Sequence, residues 1–528
     1  MESLLLNSTS LHQAESPPIV MLHMLLAPGY VPYIFTIALI SIIAYCWPAD
    51  RYTAKLPLIN PKAPYDLFNF GSRKNYILNA PRILAEGIKK AGKTKPFRVM
   101  TEKDEMIILP ATMAHDIRND PNLGFNPFIA KTFHAGIHGF EPLAENVSHD
   151  LLVDMVKSKL TPAIGQVTEP MADEMSKACT ELLTEDTRWH EVVLKNVLLD
   201  VVSRLSSRVF MGEELCRNPE WLKLTKEYTV CGPMAATFLH LFPRPLRPLM
   251  ACFLPITRAL RRQLRQSLAI MQPFLEKRRL EKEAFLREGK SPKAYADAAE
   301  WFEQVAKGTK FNAHYLQLGL AFAAVHSSAD ALNHAMLEIL QKPEIIQPMR
   351  EEIISVLGTD EWSKRTLFKL RLMDSVLKES QRLKPVLLVT MNREALRDTT
   401  LPDGTLLKKG EAIGVASHCM RDQETWDQPN VFDPYRFVRM REDPKEENSW
   451  QFASTSSRHL GFGHGDHGCP GRFFVSHELK IALCHLLLKY DWKLAPGCKP
   501  QIEEAGYFLN SDSKARVMLR RRKEEIPL

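Results

Sequence analysis

The sequence predicts a mainly α-helical protein with a small β region, built as one large domain behind an N-terminal membrane anchor. Three observations support this fold class. An uncharged apolar run lies near the N-terminus, one stretch has the pattern of a β-hairpin, and segments with helical apolar periodicity fill most of the remaining chain. A chain of 528 residues is long enough to bury one large core.

The composition excludes some classes of protein. Charged residues make up 25% of the chain, the apolar fraction is 45% and the formal net charge is +7. These values are ordinary for a globular protein, so no nucleic-acid partner is indicated. The nine cysteines are scattered, odd in number and without a C-x-x-C pair, which is typical of a reducing compartment.

Residues 30–47 are predicted to cross a membrane. No formally charged residue occurs from Ser16 to Ala49, and the apolar run has about the length that spans a bilayer. A cleaved secretory signal is the alternative, but Glu2 and Glu15 stand where such a signal has basic residues. The span is followed by basic residues, which place the body of the protein in the cytoplasm: Arg51, Lys55 and Lys62.

The anchor implies four segments. Residues 1–29 form a short lumenal N-terminus that contains Asn7, a candidate N-glycosylation site in Asn-Ser-Thr. The anchor at 30–47 is followed by a proline-rich hinge at 48–64, because proline cannot continue a helix. The remaining domain covers residues 65–528.

Within that domain, a helix is predicted from Asn79-Ala-Pro81 to Gly92, and a β-hairpin from Phe97 to Leu109. The proline-broken segment from Phe238 to Pro255 is either a buried loop or a patch at the membrane interface. The next helix carries four arginines, which form either a solvated face or a contact with lipid or a partner: Arg258, Arg261, Arg262 and Arg265. Amphipathic helices are predicted at residues 146–160, 169–184, 192–211, 221–237 and 257–288.

Two further helices carry polar residues of interest. Phe311 to Leu340 forms a long central helix of about 45 Å, with small residues in its middle followed by His326-Ser-Ser. Leu367 to Leu383 contains Glu379 and Arg382 at i, i+3 spacing, which in isolation is a surface pair of little energetic value.

The most informative stretch is Leu460 to Phe474, a glycine-rich loop that contains Cys469. Pro470 lies near the first position of a helix predicted from Arg472 to Tyr490. Unpaired amides at a helix start favour an anion, so Cys469 is expected to be a thiolate of lowered pKa that can bind a metal.

Three alternatives compete for this loop. Gly463, Gly465 and Gly468 form a G-x-G-x-x-G pattern, but a dinucleotide site requires a following βαβ unit. A zinc site would usually have two separated ligand pairs, unlike this compact group: His459, His464, His467 and Cys469. The third alternative is an inert buried cysteine.

The pattern Phe462-x-x-Gly465-x-His467-x-Cys469-x-Gly471 resembles the haem-binding loop of the cytochrome P-450 family. This resemblance implies that Cys469 is the axial ligand of the iron of haem b, and that Phe462 shields its sulfur. It also implies that His467 and Arg393 contact haem propionates, and that Gly471 lets the helix approach the ring.

Other motifs follow in the family's order. The resemblance places Ala323 at a small position facing dioxygen, Ser327 at a threonine and His326 at an acid, which is a departure from the family. His326 either relays protons or is a structural residue bonded across the helix groove. Glu379, Arg382 and Arg436 would form a buried structural network, and four residues would border the substrate cavity: Leu387, Leu388, Val389 and Thr390.

The resemblance implies a cytochrome P-450 fold and a haem-thiolate monooxygenase, similar to fungal enzymes of secondary metabolism that include terpenoid oxidases. The expected enzyme is a single-pass protein of the endoplasmic reticulum membrane with a cytoplasmic catalytic domain. It would oxidise an apolar small molecule with O₂ and electrons from NADPH. No flavin or nicotinamide domain is evident, so a separate NADPH-cytochrome reductase would dock on the basic face near Arg458 and Arg472. A haem-thiolate isomerase or dehydratase without a reductase, and a non-catalytic haem sensor, remain alternatives.

Overall fold

The computed structural model describes residues 36, 55–62, 66, 69–144 and 150–528. The chain divides into two units, Met1–Arg51 and Tyr52–Leu528, and apart from Thr36 everything described below belongs to the second. Apart from Thr36, the predicted anchor lies outside the described residues. Asn7 and part of the predicted hinge also lie outside them. Among the residues that are described, no helix is both long and apolar enough to span a membrane.

The described chain is mainly helical, as the sequence predicts. The first helices run Phe70–Ala91 (α1), Ala114–Ile117 (α2), Phe125–Thr132 (α3), Leu151–Met155 (α4), Thr161–Ala178 (α5), Leu194–Leu215 (α6), Pro219–His240 (α7) and Arg247–Phe253 (α8). The later helices run Pro255–Arg287 (α9), Ala298–Ala306 (α10), Ala313–Gln341 (α11), Ile346–Leu357 (α12), Lys364–Lys369 (α13), Arg371–Leu383 (α14), Arg436–Met440 (α15) and Arg472–Lys489 (α16). We call α11 the central helix and α16 the cysteine helix.

The β region is small and divided among several sheets. The strands are Phe97–Met100 (β1), Glu105–Leu109 (β2), Leu123–Gly124 (β3), His190–Val193 (β4), Val389–Ala395 (β5), Thr399–Thr400 (β6), Leu406–Leu407 (β7), Ala412–Ala416 (β8), Tyr490–Leu494 (β9), Glu503–Ala505 (β10), Phe508–Asn510 (β11) and Arg516–Arg521 (β12). The largest described sheet has the order β1-β2-β8-β5-β3, and a second has the order β4-β12-β9. The predicted hairpin is confirmed, since β1 and β2 pair antiparallel with Met100 opposite Glu105.

The main core surrounds the central helix. It joins α6, the central helix and the cysteine helix through fully buried residues such as Leu205, Leu332 and Leu483. A second cluster on one face of the five-stranded sheet includes Ile107 and also Leu460, the first residue of the cysteine loop. The loop is therefore held between the helical core and the sheet.

Two predicted helix boundaries are wrong. Helix α1 begins at Phe70, and Asn79 is only a kink inside it, with φ −137° and ψ 21°. Pro81 lacks an N–H group and so interrupts the helical hydrogen bonds at this point. The predicted break between residues 160 and 169 is also absent, because α4 and α5 continue into each other through the π-helical segment Val156–Leu160.

The segment from Phe238 to Pro255 is not a buried loop. It contains the end of α7, a 3₁₀ turn at Arg244–Leu246 and helix α8. Several of its large apolar side chains face outward, since Phe238 is 46% exposed, Leu249 56% and Phe253 60%, whereas Leu239 and Ala251 are buried. Two of the four arginines predicted to line α9 donate hydrogen bonds to the end of α8. Arg258 Nε donates to the Cys252 carbonyl at 3.3 Å, and Arg261 Nη1 donates to the Ala251 carbonyl at 3.0 Å.

Candidate active site

The cysteine loop folds back on itself and delivers Cys469 to the start of the cysteine helix. The Cys469 amide donates to the Phe462 carbonyl at 2.8 Å, and the Gly468 amide donates to the Gly465 carbonyl at 2.9 Å. The Phe462 ring packs edge-on against Phe452, with ring centroids 5.1 Å apart. These contacts fix the cysteine beside Phe462, the residue expected to shield it.

Glycine is required at two points of this loop. Gly463 and Gly465 have φ of 70° and 82°, which side chains disfavour. A Cβ atom at Gly465 would also lie 2.4 Å from the side-chain oxygen of Asn119, so the loop backbone packs directly on the segment after α2.

The expected lowering of the Cys469 pKa is wrong for the protein chain by itself. Burial raises the pKa of the Cys469 thiol, although the amides of Gly471 and Arg472 act in the opposite direction. Two amides do not offset the cost of a charge in this site. A coordinated metal ion deprotonates a thiol directly, so the thiolate form depends on the metal rather than on the helix start.

Glu379 lies between two arginines in a fully buried ion-pair network. Arg382 donates from Nε and Nη2 to the two carboxylate oxygens at 2.7 and 2.8 Å, and Arg436 donates from Nε at 3.1 and 3.2 Å. The side chains of Glu379 and Arg382 are 0% exposed. The surface-pair interpretation of this i, i+3 spacing therefore does not describe it.

The same part of α14 supports the cysteine loop. Arg382 Nη1 donates to the Met420 carbonyl at 2.7 Å, and the Met420 sulfur accepts from the Leu460 amide at 3.1 Å. Gly461 passes so close to α14 that a Cβ atom there would lie 2.3 Å from the Gln381 side chain. The network thus reaches the start of the loop through one methionine.

Arg393 and His467 act on each other electrostatically. Burial lowers the pKa of Arg393 to about 10, and no acidic side chain of the described residues opposes this shift. Its Nη1 donates only to the carbonyl of neighbouring Asn392, at 2.7 Å. The pKa of His467 is lowered by burial and then by the positive charge of Arg393. An anionic group near both side chains would be stabilised.

The central helix presents Ala323 and Ser327 to open space. Both residues are solvent-accessible, although the helix crosses the core and Val325, Ser328 and most of the next turn are buried. They are one turn apart and so lie on the same face. The Ser327 hydroxyl donates to the carbonyls of Ala323 and Ala324 at 3.0 and 3.1 Å, which leaves its oxygen lone pairs free to accept a further bond.

His326 faces a different neighbour. Its Nε2 lies 3.3 Å from the Lys226 carbonyl of α7, so this nitrogen carries the hydrogen and donates it. Burial lowers the pKa of the imidazole, which is therefore neutral at neutral pH. This arrangement favours the structural alternative, a histidine bonded across the helix groove, and the proton-relay role stays a prediction.

The four residues predicted to border the substrate cavity separate into two pairs. Leu387 and Leu388 are half-buried against the β10–β11 hairpin, where the Leu388 amide donates to the Tyr507 carbonyl at 2.8 Å. Val389 and Thr390 are buried in β5 and pair with β8. Only the leucines retain accessible surface that a substrate can contact.

The alternatives for the loop lack their required geometry. The cysteine helix is followed by β9 and β12, which pair antiparallel, so the βαβ unit of a dinucleotide site is missing here. Within the described part of the chain, no group of three His, Cys, Asp or Glu residues is placed to hold a metal ion. His459 instead bonds to the Lys378 carbonyl at 3.3 Å, and His464 lies beside Arg118.

The residues present fit a haem. Cys469 is half-buried, and a Cβ atom built on Gly471 would meet nothing within 4 Å, so space is open beside the start of the cysteine helix. Arg393 is a buried cation without an acidic partner among the described residues, as a propionate site requires. Cys469 and Arg393 would hold the group, and the exposed face of the central helix at Ala323 and Ser327 stays the predicted side for dioxygen.

Sequence reasoning missed two residues near this site. Met420 connects the arginine network to the loop, and no local pattern marks a methionine for that role. Glu478 is a fully buried acid on the cysteine helix. An acid within the predicted apolar periodicity of residues 472–490 was a usable signal, because that helix proves to be buried on all sides.

Comparison with known proteins finds a family model and several relatives that match most of this chain. The family model described as cytochrome P450 matches residues 125–519. The chain is 44% identical over 498 residues to cytochrome P450 monooxygenase calE of Penicillium decumbens, covering 94% of this chain and 96% of that protein. It is 42% identical over 473 residues to cytochrome P450 monooxygenase adrA of Penicillium rubens, covering 89% and 92% respectively. It is 43% identical over 476 residues to cytochrome P450 monooxygenase hepE of Aspergillus oryzae, covering 89% and 87%.

Proposed function

The chain belongs to the cytochrome P450 family and is a monooxygenase of that family, and we propose that it oxidises an apolar small molecule, a terpenoid or related secondary metabolite. The observation that carries this proposal is the cysteine loop, which delivers Cys469 to a helix start and places His467 under the influence of Arg393, a buried cation of β5 without an acidic partner among the described residues. A bound haem supplies the oxidation of an unactivated C–H bond by dioxygen.

The chain's own residues bind the group and manage protons. Cys469 would hold the iron of a bound haem through its sulfur, and Phe462 would restrict solvent at that sulfur. Arg393 and His467 would hold the propionates by hydrogen bonds and so orient the group. The Ser327 hydroxyl, already anchored to the Ala323 carbonyl, accepts a hydrogen bond from water and holds a proton donor over the open space.

The side chains that we assign to the walls of the substrate cavity are apolar. Phe322 of the central helix packs edge-on against Phe133, with ring centroids 5.4 Å apart. Leu387 and Phe508 meet across an isolated β-bridge, and both are half-buried. Such walls bind a hydrocarbon skeleton by excluding water, with little demand for hydrogen bonds.

Electrons come, on this proposal, from NADPH through a separate NADPH-cytochrome reductase. Arg458 and Arg472 line one surface cavity of about 490 Å³ together with Trp450 and Phe473. Arg472 also donates to the Cys469 carbonyl at 2.9 Å. A partner that binds in this cavity with acidic side chains would therefore contact Arg472, a residue of the cysteine loop itself, which suits electron delivery.

The proposed location is the endoplasmic reticulum membrane, with residues 30–47 as a single span, Asn7 on the lumenal side as a glycosylation site, and the catalytic domain in the cytoplasm. The uncharged run in the sequence supports the span. The exposed apolar side chains of Phe238, Leu249 and Phe253 support additional contact with the membrane surface.

One experiment separates this function from its alternatives. The full chain is expressed in microsomes with and without the NADPH reductase, and products are analysed by mass spectrometry after a panel of polycyclic terpenoids has been supplied. We expect oxygenated product only with reductase, NADPH and O₂. Rearranged or dehydrated product without reductase would instead indicate the isomerase or dehydratase. A haem-loaded protein that transforms no member of the panel would contradict the terpenoid assignment.

A further inference from the structure

Glu478 is a buried acid in a part of the molecule that the proposed chemistry does not use. It lies in the second turn of the cysteine helix, and its exposed fraction is 0%. The cysteine helix packs against both α6 and the central helix at this level. A carboxyl group is rarely buried completely unless it is paired with a cation or protonated.

The contacts of this carboxyl are all with hydroxyl groups. Ser206 of α6 donates from Oγ to Oε1 of Glu478 at 2.6 Å. The Ser328 hydroxyl of the central helix, next in sequence to Ser327, also acts on the carboxyl and favours its charged form. Oε2 has no hydrogen-bond partner among the described residues.

No charged side chain compensates this group. From α6 and the central helix, the neighbours that act on it are Ser206 and Ser328, and no Lys, Arg, His, Asp or Glu of the described residues contributes. Burial consequently raises the pKa of Glu478 to about 7, against the opposing effect of the two hydroxyls. The carboxyl therefore changes its charge close to neutral pH.

We propose that Glu478 is a positioning residue between two helices. It joins the cysteine helix to the turn of the central helix that carries Ser327, and its proton controls this junction. The inference rests on the proposed haem site, because only then do these two helices contribute to one reaction. Glu478 touches neither substrate nor haem in this account. It acts through Ser328 on one side and through the cysteine helix on the other.

The two protonation states have different consequences. The neutral carboxyl fits the apolar junction and accepts the Ser206 hydrogen bond. The ionised carboxylate is buried with only two hydroxyl donors, so the junction must loosen or admit water as the pH rises. Its negative charge also stabilises the oxidised iron of a bound haem, because oxidised iron carries more positive charge. The haem reduction potential should therefore fall as Glu478 ionises.

The test compares the full-length wild-type protein with Glu478→Gln, which keeps the shape and an acceptor but cannot ionise. Two quantities are measured between pH 5.5 and about pH 8.5: the infrared band of protonated carboxyl groups and the haem reduction potential. We expect the wild type to lose one carboxyl band and to decrease in potential through the same pH interval. Glu478→Gln should lack both changes and keep the red-shifted CO band.

Two further variants make the result specific. Ser206→Ala removes a hydrogen bond that favours the charged form of Glu478. The transitions of the carboxyl band and of the haem reduction potential should therefore both move to higher pH. This prediction can be tested even if Glu478→Gln does not fold. Glu352→Gln is the matched control, since Glu352 is a half-buried acid of raised pKa that accepts hydrogen bonds from the Leu372 and Met373 amides. It should leave the transition of the potential unchanged.

The possible failures are distinguishable. A pH-dependent potential that persists in Glu478→Gln, or moves in Glu352→Gln instead, would overturn the role of Glu478 while leaving the monooxygenase intact. Absence of a red-shifted CO band in the wild type would overturn the proposed function itself.

Discussion

Glu379 and Arg436 are 57 positions apart in sequence, yet Arg436 Nε donates to both carboxylate oxygens of Glu379, at 3.1 and 3.2 Å. Arg382 binds the same carboxylate from the next turn of α14. Because Arg382 also donates to the Met420 carbonyl and the Met420 sulfur accepts from Leu460, this carboxylate is connected to the start of the cysteine loop. The stability of the haem site therefore depends on a residue that does not contact it.

Replacing Glu379 with alanine should prevent haem loading. The substitution leaves Arg382 and Arg436 as buried cations without their carboxylate, which costs about 3 to 5 kcal/mol of unfolding free energy. Haem content per protein and thermal unfolding measure the effect. Glu276→Ala is the matched control, because Glu276 pairs with Arg279 at the same i, i+3 spacing on the exposed face of α9. Normal haem content in Glu379→Ala would show that the network is dispensable.

Arg393→Leu should weaken haem binding without unfolding the protein. It removes a buried cation that has no acidic partner among the described residues, so the folded apoprotein loses little. The haem loses a charge-assisted hydrogen bond of about 1.5 to 3 kcal/mol, or roughly 10- to 100-fold in affinity. The rate of haem transfer to apomyoglobin measures this change. Arg397→Leu, at an exposed position shortly after β5, should transfer haem at the wild-type rate; equal rates in both variants would place the propionates elsewhere.

Ser327→Ala should uncouple NADPH consumption from product formation. The variant removes the accessible hydroxyl of the central helix, which would hold the proton-donating water, so NADPH should be consumed with release of hydrogen peroxide and less product. Ser327→Thr should restore coupling. His326→Gln keeps a donor for the Lys226 carbonyl and should leave coupling unchanged, because the histidine N–H faces α7. A coupling defect in His326→Gln at constant stability would instead support the proton relay.

Deletion of Met1 to Trp47 should release part of the protein from membranes without changing its haem spectrum. The remaining association should depend on α8, where Leu249 and Phe253 are 56% and 60% exposed. Adding Leu249→Ser and Phe253→Ser to the truncated chain should move it to the soluble fraction in flotation assays. Leu280→Ser and Leu286→Ser, at comparably exposed positions of α9, are the control. Unchanged flotation after the α8 substitutions would contradict an interfacial role for α8.

Local patterns in the sequence predicted the parts of the site that are close together in the chain. The glycines and Pro470 predicted the loop and the start of the cysteine helix, because turn and helix-start chemistry is local. The β1–β2 hairpin was predicted for the same reason. The buried network of Glu379 could not be predicted from local spacing, since Glu379 and Arg382 at i, i+3 have the same spacing as an ordinary surface ion pair. Only the later position of Arg436, within the family's order of motifs, identified a buried network.

What the sequence did not predict depends on tertiary contacts. The sequence did not predict that α4 continues into α5, because the π-helical segment between them shifts the phase of the apolar pattern. The raised pKa of Cys469 was missed because burial, which sequence does not reveal, outweighs two amides. The hydrogen bond from the Leu460 amide to the Met420 sulfur and the one from the Ser206 hydroxyl to Glu478 join residues that are distant in the chain, and no local pattern encodes them.

The most direct test of the account is the CO spectrum of the reduced protein in Cys469→Ala. The wild type should show the red-shifted band of haem with a thiolate ligand, because the sulfur donates electron density to the iron. The variant should lose that band, and Cys419→Ala, which removes another buried cysteine, should retain it. A red-shifted band that persists in Cys469→Ala would contradict the assignment of the axial ligand and, with it, the proposed function.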